Sequence, residues 1–276
     1  MISKKQPFVC APPVSPSAKI GIVIPACNEE ACIGAVLTEL LRSLDAEKFV
    51  VLVGVNGSTD RTAEIARSFP VVVAETPRRG YGFGCEHVID VAARVAPPLG
   101  AYIFFAGDGA SDPRDIPKLV AAYEQGYQLV LGARTATLGN WPAMTVSHVF
   151  ANRALALWCA VLTRRWFTDL APLRLIEREL FERLALREMT YGWTIEAQIG
   201  AATFGAEICE VPGHERPRRA GEQKVSGVNW RRTFMIGCRI VAAGWRARVR
   251  FHGQKQVVLA TAATASAFVA QAQRSV

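Results

Sequence analysis

The chain has 276 residues, of which 50% are hydrophobic and 20% are charged. This composition provides enough apolar material for a large core, which excludes a disordered protein. The longest apolar run, residues 257–270, is shorter than the roughly 20 residues that a membrane-spanning helix needs. The amino-terminal segment has two early lysines but no apolar stretch before its prolines, so we expect that it is not a secretory signal.

The net charge of +8 is concentrated near the carboxyl terminus. Residues 214–255 contain eleven Lys or Arg and two Glu, a net of +9, so the rest of the chain sums to −1. Charge confined to one segment indicates a partner surface rather than general solubility. The seven cysteines include no CxxC pair, which predicts buried thiols in a reducing cytosol, not a disulfide framework or a zinc site.

Strand and helix patterns alternate along the first half of the chain. Short apolar runs predict strands at 20–24, 49–55, 71–74, 101–106 and 128–133. Helical spacing of apolar residues predicts helices at 33–44, 62–69, 84–95 and 115–124. The alternation predicts an α/β fold with a largely parallel sheet, whose ligands bind beyond the carboxyl ends of the strands.

The pattern changes after residue 139. Beyond this point we predict helices at 144–162, 177–186 and 194–204, and strands at 173–176 and 206–211. The predicted domain organisation has three parts. Residues 1–18 form a flexible arm, 19–226 form the α/β domain, and 227–276 form a basic amphipathic helical extension.

Three polar clusters follow three of the predicted strands, at 25–30, 56–62 and 107–113. Each cluster alone is ordinary turn chemistry, and Asn28 and Asp60 are suited to cap the helices that follow them. Three such loops at one edge of a parallel sheet instead indicate a ligand site.

These loops resemble motifs of the family 2 glycosyltransferases, which have the GT-A fold. VIPACNEE (23–30) resembles the opening motif, NGSTD (56–60) the DDGSxD element, and FAGDGASDP (105–113) the Asp-x-Asp segment. The later resemblances are RGYG (79–82) to KGxA, LGAR (131–134) to GSR, TDLAPLR (168–174) to TDxxxGFR, and EVP (210–212) with GEQK (221–224) to EVP…GESK. The last two resemble the dolichol-phosphate mannose or glucose synthase branch.

The resemblance implies a nucleotide-sugar donor, carrying UDP or GDP, at this edge of the sheet. It implies that Pro25, Cys27 and Glu29 line the nucleoside site, with Cys27 in place of a more usual aromatic residue. Asn56 stands where the family often has Asp, so it keeps a hydrogen-bond acceptor without the charge.

The Asp-x-Asp segment departs most from the family pattern. The resemblance implies that Asp108 contacts both donor and metal, whereas Ala106 and Ala110 stand at two other ligand positions. One carboxylate with phosphate oxygens and waters can hold Mg²⁺ or Mn²⁺, so a weak metal site is expected at Asp108. Basic side chains suited to share the diphosphate charge are Arg134, Arg216, Arg218, Arg219 and Lys224. Of these, Arg134, Arg219 and Lys224 are the predicted donor-binding residues.

The implied reaction is inverting transfer of a hexose to a polyprenyl phosphate of the dolichyl type. This acceptor is already anionic, so positioning and charge stabilisation replace a strong base. Arg174 is predicted to hold the acceptor phosphate, and Asp169 to orient the site or act as base for a hydroxyl acceptor. Glu196 is a further carboxylate candidate whose alternative role is structural, at a helix start. Two alternatives stay open: a glycan or small-molecule hydroxyl acceptor, and a non-catalytic nucleotide- or lipid-binding relative.

Residues 229–250 have an amphipathic pattern at 100° per residue. Trp230, Phe234, Val241 and Trp245 fall on one face, and Arg232, Arg239, Arg246 and Arg250 fall on the opposite face. This pattern predicts a helix in the interface of an anionic membrane, and the alternative is a stripe packed on the protein core. No nucleic-acid motif accompanies the charge, so no nucleic-acid partner is expected. We therefore expect a cytoplasmic protein, peripheral on the inner face of the cell membrane.

Overall fold

The computed structural model describes residues 18–135, 138–140, 144, 146–220 and 230–274, the last eighteen of them as backbone only. One sheet contains β1 (Lys19–Ala26), β2 (Phe49–Asn56), β3 (Val72–Thr76), β4 (Leu99–Phe104), β5 (Leu129–Ala133), β6 (Arg174–Glu177) and β7 (Ile208–Pro212). The strand order is β3-β2-β1-β4-β6-β5-β7, and β6 runs antiparallel to both of its neighbours. The other pairings are parallel, which confirms the predicted α/β fold with a largely parallel sheet.

Helices cover both faces of the sheet. They are α1 (Ile33–Ser43), α2 (Thr62–Arg67), α3 (Tyr81–Val95), α4 (Ile116–Glu124), α5 (Val146–Thr163), α6 (Arg178–Leu184), α7 (Trp193–Phe204) and α8 (Trp230–Arg274). One hydrophobic core lies between the sheet and α1, α2 and α4, and a second lies between the sheet and α3 and α5–α8. Because both faces are buried, the central strands are continuously apolar, as in other covered parallel sheets.

Helix α3 begins three residues earlier than the apolar spacing predicts. The glycine-rich stretch at its start belongs to the helix because it allows close packing on the sheet. A Cβ at Gly54 of β2 would collide with the backbone carbonyl of Gly84 in α3. The amino-terminal turn of α3 is thereby held against the carboxyl end of β2, next to the predicted ligand site.

The start of α1 lies at its predicted position, but its capping differs from the prediction. The helix begins at Ile33 after Cys32, and no side-chain hydrogen bond caps it. Asn28 lies four residues upstream in a left-handed conformation, with φ of 54°. The predicted capping role of Asn28 is therefore wrong, and its side chain has a different use described below.

Helix α8 extends well beyond residues 229–250 and packs on α5 and α7 through a face that the amphipathic pattern did not indicate. Ile236, Ala243, Ala247 and Phe251 are buried. Small side chains are needed there because α7 approaches closely: a Cβ at Gly192 would lie 2.5 Å from the Cβ of Ala243. The aromatic stripe is instead exposed at Phe234, Val241 and Trp245, so the alternative that it packs on the core is wrong for these residues. The side chain of Trp230, the fourth residue of the stripe, lies outside the described set.

Parts of the predicted domain organisation fall outside the described residues. The arm at 1–18 is described only at Ala18, and the junction between 226 and 227 lies within an undescribed segment. In the described part of the chain, none of the helices combines the length and the hydropathy that crossing a bilayer demands.

Candidate active site

Four segments meet at the carboxyl edge of the sheet. They are residues 27–30 after β1, 57–61 after β2, 105–112 after β4 and 213–220 after β7. We call residues 213–220 the basic loop. Their proximity follows from the topology, because parallel strands place their carboxyl ends at one edge.

The segments after β1 and β2 are joined by reciprocal hydrogen bonds. The backbone N–H of Thr59 donates to Asn28 Oδ1 at 2.8 Å, and the N–H of Asn28 donates to Ser58 Oγ at 3.0 Å. The N–H of Glu30 donates to Asp60 Oδ2 at 3.0 Å. Asn28 therefore joins two loops rather than capping α1, and Asn tolerates the left-handed backbone that this requires. Asp60 joins the same loops, and its Oδ1 also accepts from the backbone N–H of Thr62 at 3.0 Å, at the start of α2.

The residues predicted to line the nucleoside site lie at these two adjacent strand ends. Pro25 and Cys27 are half-buried, and the Cys27 thiol lies 4.0 Å from the carbonyl oxygen of Gly57. Glu29 is 8% exposed and Asn56 is 5% exposed. The structure thus brings the four predicted residues into one region, and their contacts with a donor remain a prediction.

The basic loop runs antiparallel to the segment after β4. The N–H of Arg216 donates to the carbonyl of Ala110 at 2.9 Å, and the N–H of Arg219 donates to the carbonyl of Asp108 at 3.1 Å. Gly109 has a φ of 82° and faces the Arg219 side chain, where a Cβ would collide. This pairing fixes which arginines of the loop point into the site.

Among the three arginines of the basic loop, Arg218 is the one that reaches the carboxylates predicted to bind the donor. Its guanidinium pairs with Glu29 and lies 3.2 Å from Asp108 Oδ2. Arg216 and Arg219 both pair instead with Glu39 on α1. The structure therefore places Arg218 beside these carboxylates, and donor binding by Arg219 stays a prediction. Lys224, also predicted to bind the donor, lies outside the described residues.

The Glu29 carboxylate has a second described neighbour. The Cys32 thiol donates to Glu29 Oε2 at 3.1 Å. Burial, together with the hydrogen bond to Glu29, raises the pKa of this thiol to about 12. Cys32 is therefore a neutral hydrogen-bond donor rather than a nucleophile at physiological pH.

Arg134 and Asp169 form a buried ion pair near the start of the basic loop. Asp169 is 0% exposed and accepts hydrogen bonds from Arg134 Nε at 3.0 Å, Nη2 at 3.1 Å and the backbone N–H at 2.8 Å. Arg134 Nη1 also lies 3.3 Å from Glu215, whose pKa is raised by burial although Arg134 opposes the rise. The predictions did not include Glu215, although its position three residues after β7 places it at the same sheet edge.

Arg174 is the first residue of β6 and pairs in register with Phe104 at the end of β4. Its side chain is 1% exposed, its Nη2 donates to Thr194 Oγ1 at 2.9 Å, and its guanidinium lies 5.5 Å from the Trp193 ring. Nε and Nη1 have no hydrogen-bond partner among the described residues, and no described carboxylate pairs with the group. Burial lowers the pKa of Arg174, while Tyr81 favours the charged form.

Two helices begin beside Arg174. Tyr81 is the first residue of α3, Trp193 is the first residue of α7, and their rings lie 5.3 Å apart. Helix amino termini carry partial positive charge and favour anions. The buried guanidinium and the two helix ends together make this part of the sheet edge electropositive.

Glu196 has a structural set of contacts. Its carboxylate accepts from the backbone N–H groups of Arg187 at 2.9 Å and Glu188 at 2.8 Å. It also lies 3.1 Å from Arg250 of α8. Glu196 therefore connects α7, α8 and the segment before α7, which agrees with the structural alternative for this carboxylate.

The residues present fit a divalent metal poorly. No group of three or more His, Cys, Asp or Glu that could hold a metal occurs in the described part of the chain. Asp108 Oδ1 accepts from the N–H of Ala110 at 3.0 Å and Oδ2 is taken by Arg218. Ala106 and Ala110 offer only methyl side chains. The weak Mg²⁺ or Mn²⁺ site predicted at Asp108 stays a prediction without support from these contacts.

The sheet order and the loops at its carboxyl edge define a GT-A transferase, and comparison with known sequences identifies its family. The sequence profile of Glycosyl transferase family 2 matches residues 21–184. The chain belongs to this family and is a glycosyltransferase, as its motifs predicted.

Relatives of the chain include enzymes with lipid-phosphate acceptors. An uncharacterized glycosyltransferase of Mycobacterium tuberculosis is 34% identical over 211 residues, covering 75% of this chain and 90% of that protein. A dolichyl-phosphate hexose transferase of Haloferax volcanii is 33% identical, with coverage of 75% and 86%. An undecaprenyl-phosphate 4-deoxy-4-formamido-L-arabinose transferase of Pseudomonas aeruginosa is 29% identical, with coverage of 76% and 61%.

Solved structures confirm the GT-A fold. Glucosyl-3-phosphoglycerate synthase from Mycobacterium tuberculosis, in complex with Mn²⁺, UDP and phosphoglyceric acid, matches with a TM-score of 0.64 at 21% identity. The match covers 84% of this chain and 78% of the synthase. At this identity the likeness concerns the fold, so the metal, donor and acceptor bound there belong to that protein.

Proposed function

We propose that the chain transfers a hexose from a UDP- or GDP-sugar to a polyprenyl phosphate, with inversion at the anomeric carbon. The observation that carries the proposal is Arg174, a fully buried guanidinium without a counter-ion among the described residues. An uncompensated buried charge is costly, and an anionic substrate would supply the missing partner. The dolichyl- and undecaprenyl-phosphate relatives support the same class of acceptor.

The contacts of Asp169 favour a phosphate acceptor over a hydroxyl acceptor. Both of its oxygens are held by Arg134, so the carboxylate orients that arginine and is not available as a base. A polyprenyl phosphate needs no base. One of its oxygens attacks the anomeric carbon, a phosphate–sugar bond forms, and the bond to the nucleoside diphosphate breaks with that group leaving.

Access to Arg174 requires a local opening. The N–H of Gly82 donates to the carbonyl of Met189 at 3.0 Å, which closes the start of α3 against the segment before α7. Separation of these two segments would expose the guanidinium and the two helix ends to an acceptor phosphate. The reaction so described passes through no metal ion, because the side chains around Asp108 do not form a suitable set of metal ligands.

A lipid-extraction assay tests the acceptor. We expect the full chain, given radiolabelled UDP- and GDP-hexoses, to transfer label to undecaprenyl or dolichyl phosphate in detergent. The matched control is the corresponding polyprenol, which lacks the phosphate and should remain unlabelled. Equal labelling of the polyprenol, or labelling confined to water-soluble hydroxyl acceptors, would contradict the proposed acceptor and favour the hydroxyl alternative.

We also propose that the chain binds the membrane that carries this acceptor. On α8, Phe234, Val241 and Trp245 are 69%, 40% and 57% exposed, as the predicted interfacial face requires. Leu157 and Val161 on α5 are also exposed. We call these five residues the α5–α8 apolar surface. Trp158 connects the two helices, because its indole Nε1 donates to the carbonyl oxygen of Val241 at 3.2 Å.

The basic face of α8 differs from its prediction. Arg246 hydrogen-bonds to Glu188 at 2.7 Å, and Arg250 pairs with Glu196 at 3.1 Å. These two arginines are paired with carboxylates of the protein, so fewer positive charges of the predicted row are available to anionic lipid. Arg239 is exposed, and the side chain of Arg232 lies outside the described set. The apolar surface therefore contributes more to the proposed membrane contact than the row of four arginines.

Vesicle co-sedimentation tests the apolar surface. We expect Leu157→Ser with Trp245→Ser to lower partitioning by roughly 10-fold or more, since burying a large apolar side chain is worth about 1.5–3 kcal/mol. Thermal stability should be nearly unchanged because both side chains are exposed. Val95→Ser, at an exposed apolar position on α3, is the matched control. Equal partitioning of the double variant and the wild type would contradict this membrane surface.

A further inference from the structure

We propose that the guanidinium of Arg218 takes the place of a divalent cation and binds the diphosphate of the donor. The inference rests on the proposed nucleotide-sugar donor and adds a group that hydrogen-bonds its diphosphate. It predicts a donor site that works without metal, although the family motif at 105–113 implies one.

Arg218 lies between two carboxylates of the predicted donor site. It pairs with Glu29 after β1 and with Asp108 after β4, and its side chain is 15% exposed. In the family motif, Asp108 would act on the diphosphate through a cation. Here the cation that Asp108 contacts is a guanidinium. Burial disfavours the charge, but the hydrogen bond to Glu29 and the nearby carboxylates outweigh it and raise the pKa of Arg218.

The guanidinium keeps hydrogen-bonding capacity for a ligand. It has five N–H groups, and contacts with described residues account for three of them. These are the contacts with Glu29, with Asp108, and from Nε to the carbonyl of Ala220 at 2.7 Å. Each terminal nitrogen retains one N–H that can donate to a phosphate oxygen, a ligand for which guanidinium groups are well suited.

The rest of the basic loop holds Arg218 in this position. The backbone bonds of Arg216 to Ala110 and of Arg219 to Asp108 align the loop with the β4 segment. The guanidinium groups of Arg216 and Arg219 are anchored on Glu39 rather than on the Asp108 carboxylate. Arg218 therefore approaches Asp108 on an anchored loop, which reduces the ordering that donor binding would otherwise require.

Calorimetric titration with UDP and with GDP tests the inference on the full chain. Whichever of the two nucleotides binds, we expect its Kd in EDTA to lie within about two-fold of its Kd in Mn²⁺. Arg218→Gln should weaken binding in EDTA by roughly 10- to 100-fold, the range for losing hydrogen bonds to a charged group. Arg178→Gln removes the same charge from an exposed pair on α6 and should leave the Kd unchanged.

Three results would overturn the inference. The first is wild-type binding that weakens at least 10-fold in EDTA. The second is an Arg218→Gln variant that binds in EDTA as tightly as the wild type, with circular dichroism confirming that it is folded. Both would leave the proposed glycosyl transfer intact. The third is wild type that binds neither nucleotide in either buffer, which would instead overturn the donor class and with it the inference.

Discussion

Arg174→Met should strongly lower sugar transfer while leaving the protein at least as stable as the wild type. Burying a guanidinium without a counter-ion costs folding free energy, and Met fills a similar volume without a charge. We therefore expect the free energy of unfolding in urea to be unchanged or to rise, by up to about 1–4 kcal/mol. If Arg174 binds the acceptor phosphate, kcat/KM for that acceptor should fall by roughly 10²-fold or more.

The matched control is the same substitution at the other buried arginine of the site. Arg134→Met removes the partner of Asp169, which would remain buried and charged. This variant should lose about 3–5 kcal/mol of stability, so one substitution has opposite effects at two buried sites. An Arg174→Met protein that transfers sugar at the wild-type rate would contradict the acceptor role. A variant that is less stable by about 2 kcal/mol or more would indicate that Arg174 stabilises the fold through its contacts with Thr194 and Trp193.

Asp169→Ala is expected to lower the free energy of unfolding by about 3–5 kcal/mol. The carboxylate is fully buried and accepts three hydrogen bonds from Arg134, so its loss leaves a nearly buried guanidinium with Glu215 alone. Urea titration followed by circular dichroism measures the loss. Activity should fall in parallel with the folded fraction and with the misplacement of Arg134.

A catalytic base would behave differently. Removing a base lowers kcat without requiring a loss of stability, and it removes the corresponding limb from the pH–rate profile. A stable Asp169→Ala protein with a large loss of kcat would therefore contradict the orienting role and favour a hydroxyl acceptor. Glu210→Ala is a useful comparison, because this half-buried carboxylate bonds the backbone and hydroxyl of Thr168, next to Asp169.

The strands and the ligand edge could be predicted because they depend on local patterns. Buried strands such as 20–24 require unbroken apolar runs, and polar loops at 25–30 and 107–113 mark where those strands end. The antiparallel direction of β6 could not be predicted, because the pattern of residues 173–176 is compatible with a parallel and with an antiparallel strand. Sheet order depends on contacts between segments far apart in sequence.

The sequence by itself determined the α/β class, the family and the loops that form the candidate site, because short-range hydrophobic periodicity and contiguous motifs carry that information. The tertiary structure decided which charges meet. Arg216, Arg218 and Arg219 are nearly adjacent in sequence, yet Arg218 alone among them pairs with Glu29 and Asp108. Side-chain direction in a loop depends on the backbone pairing that holds it, and the partners here lie 110 and 189 residues away along the chain.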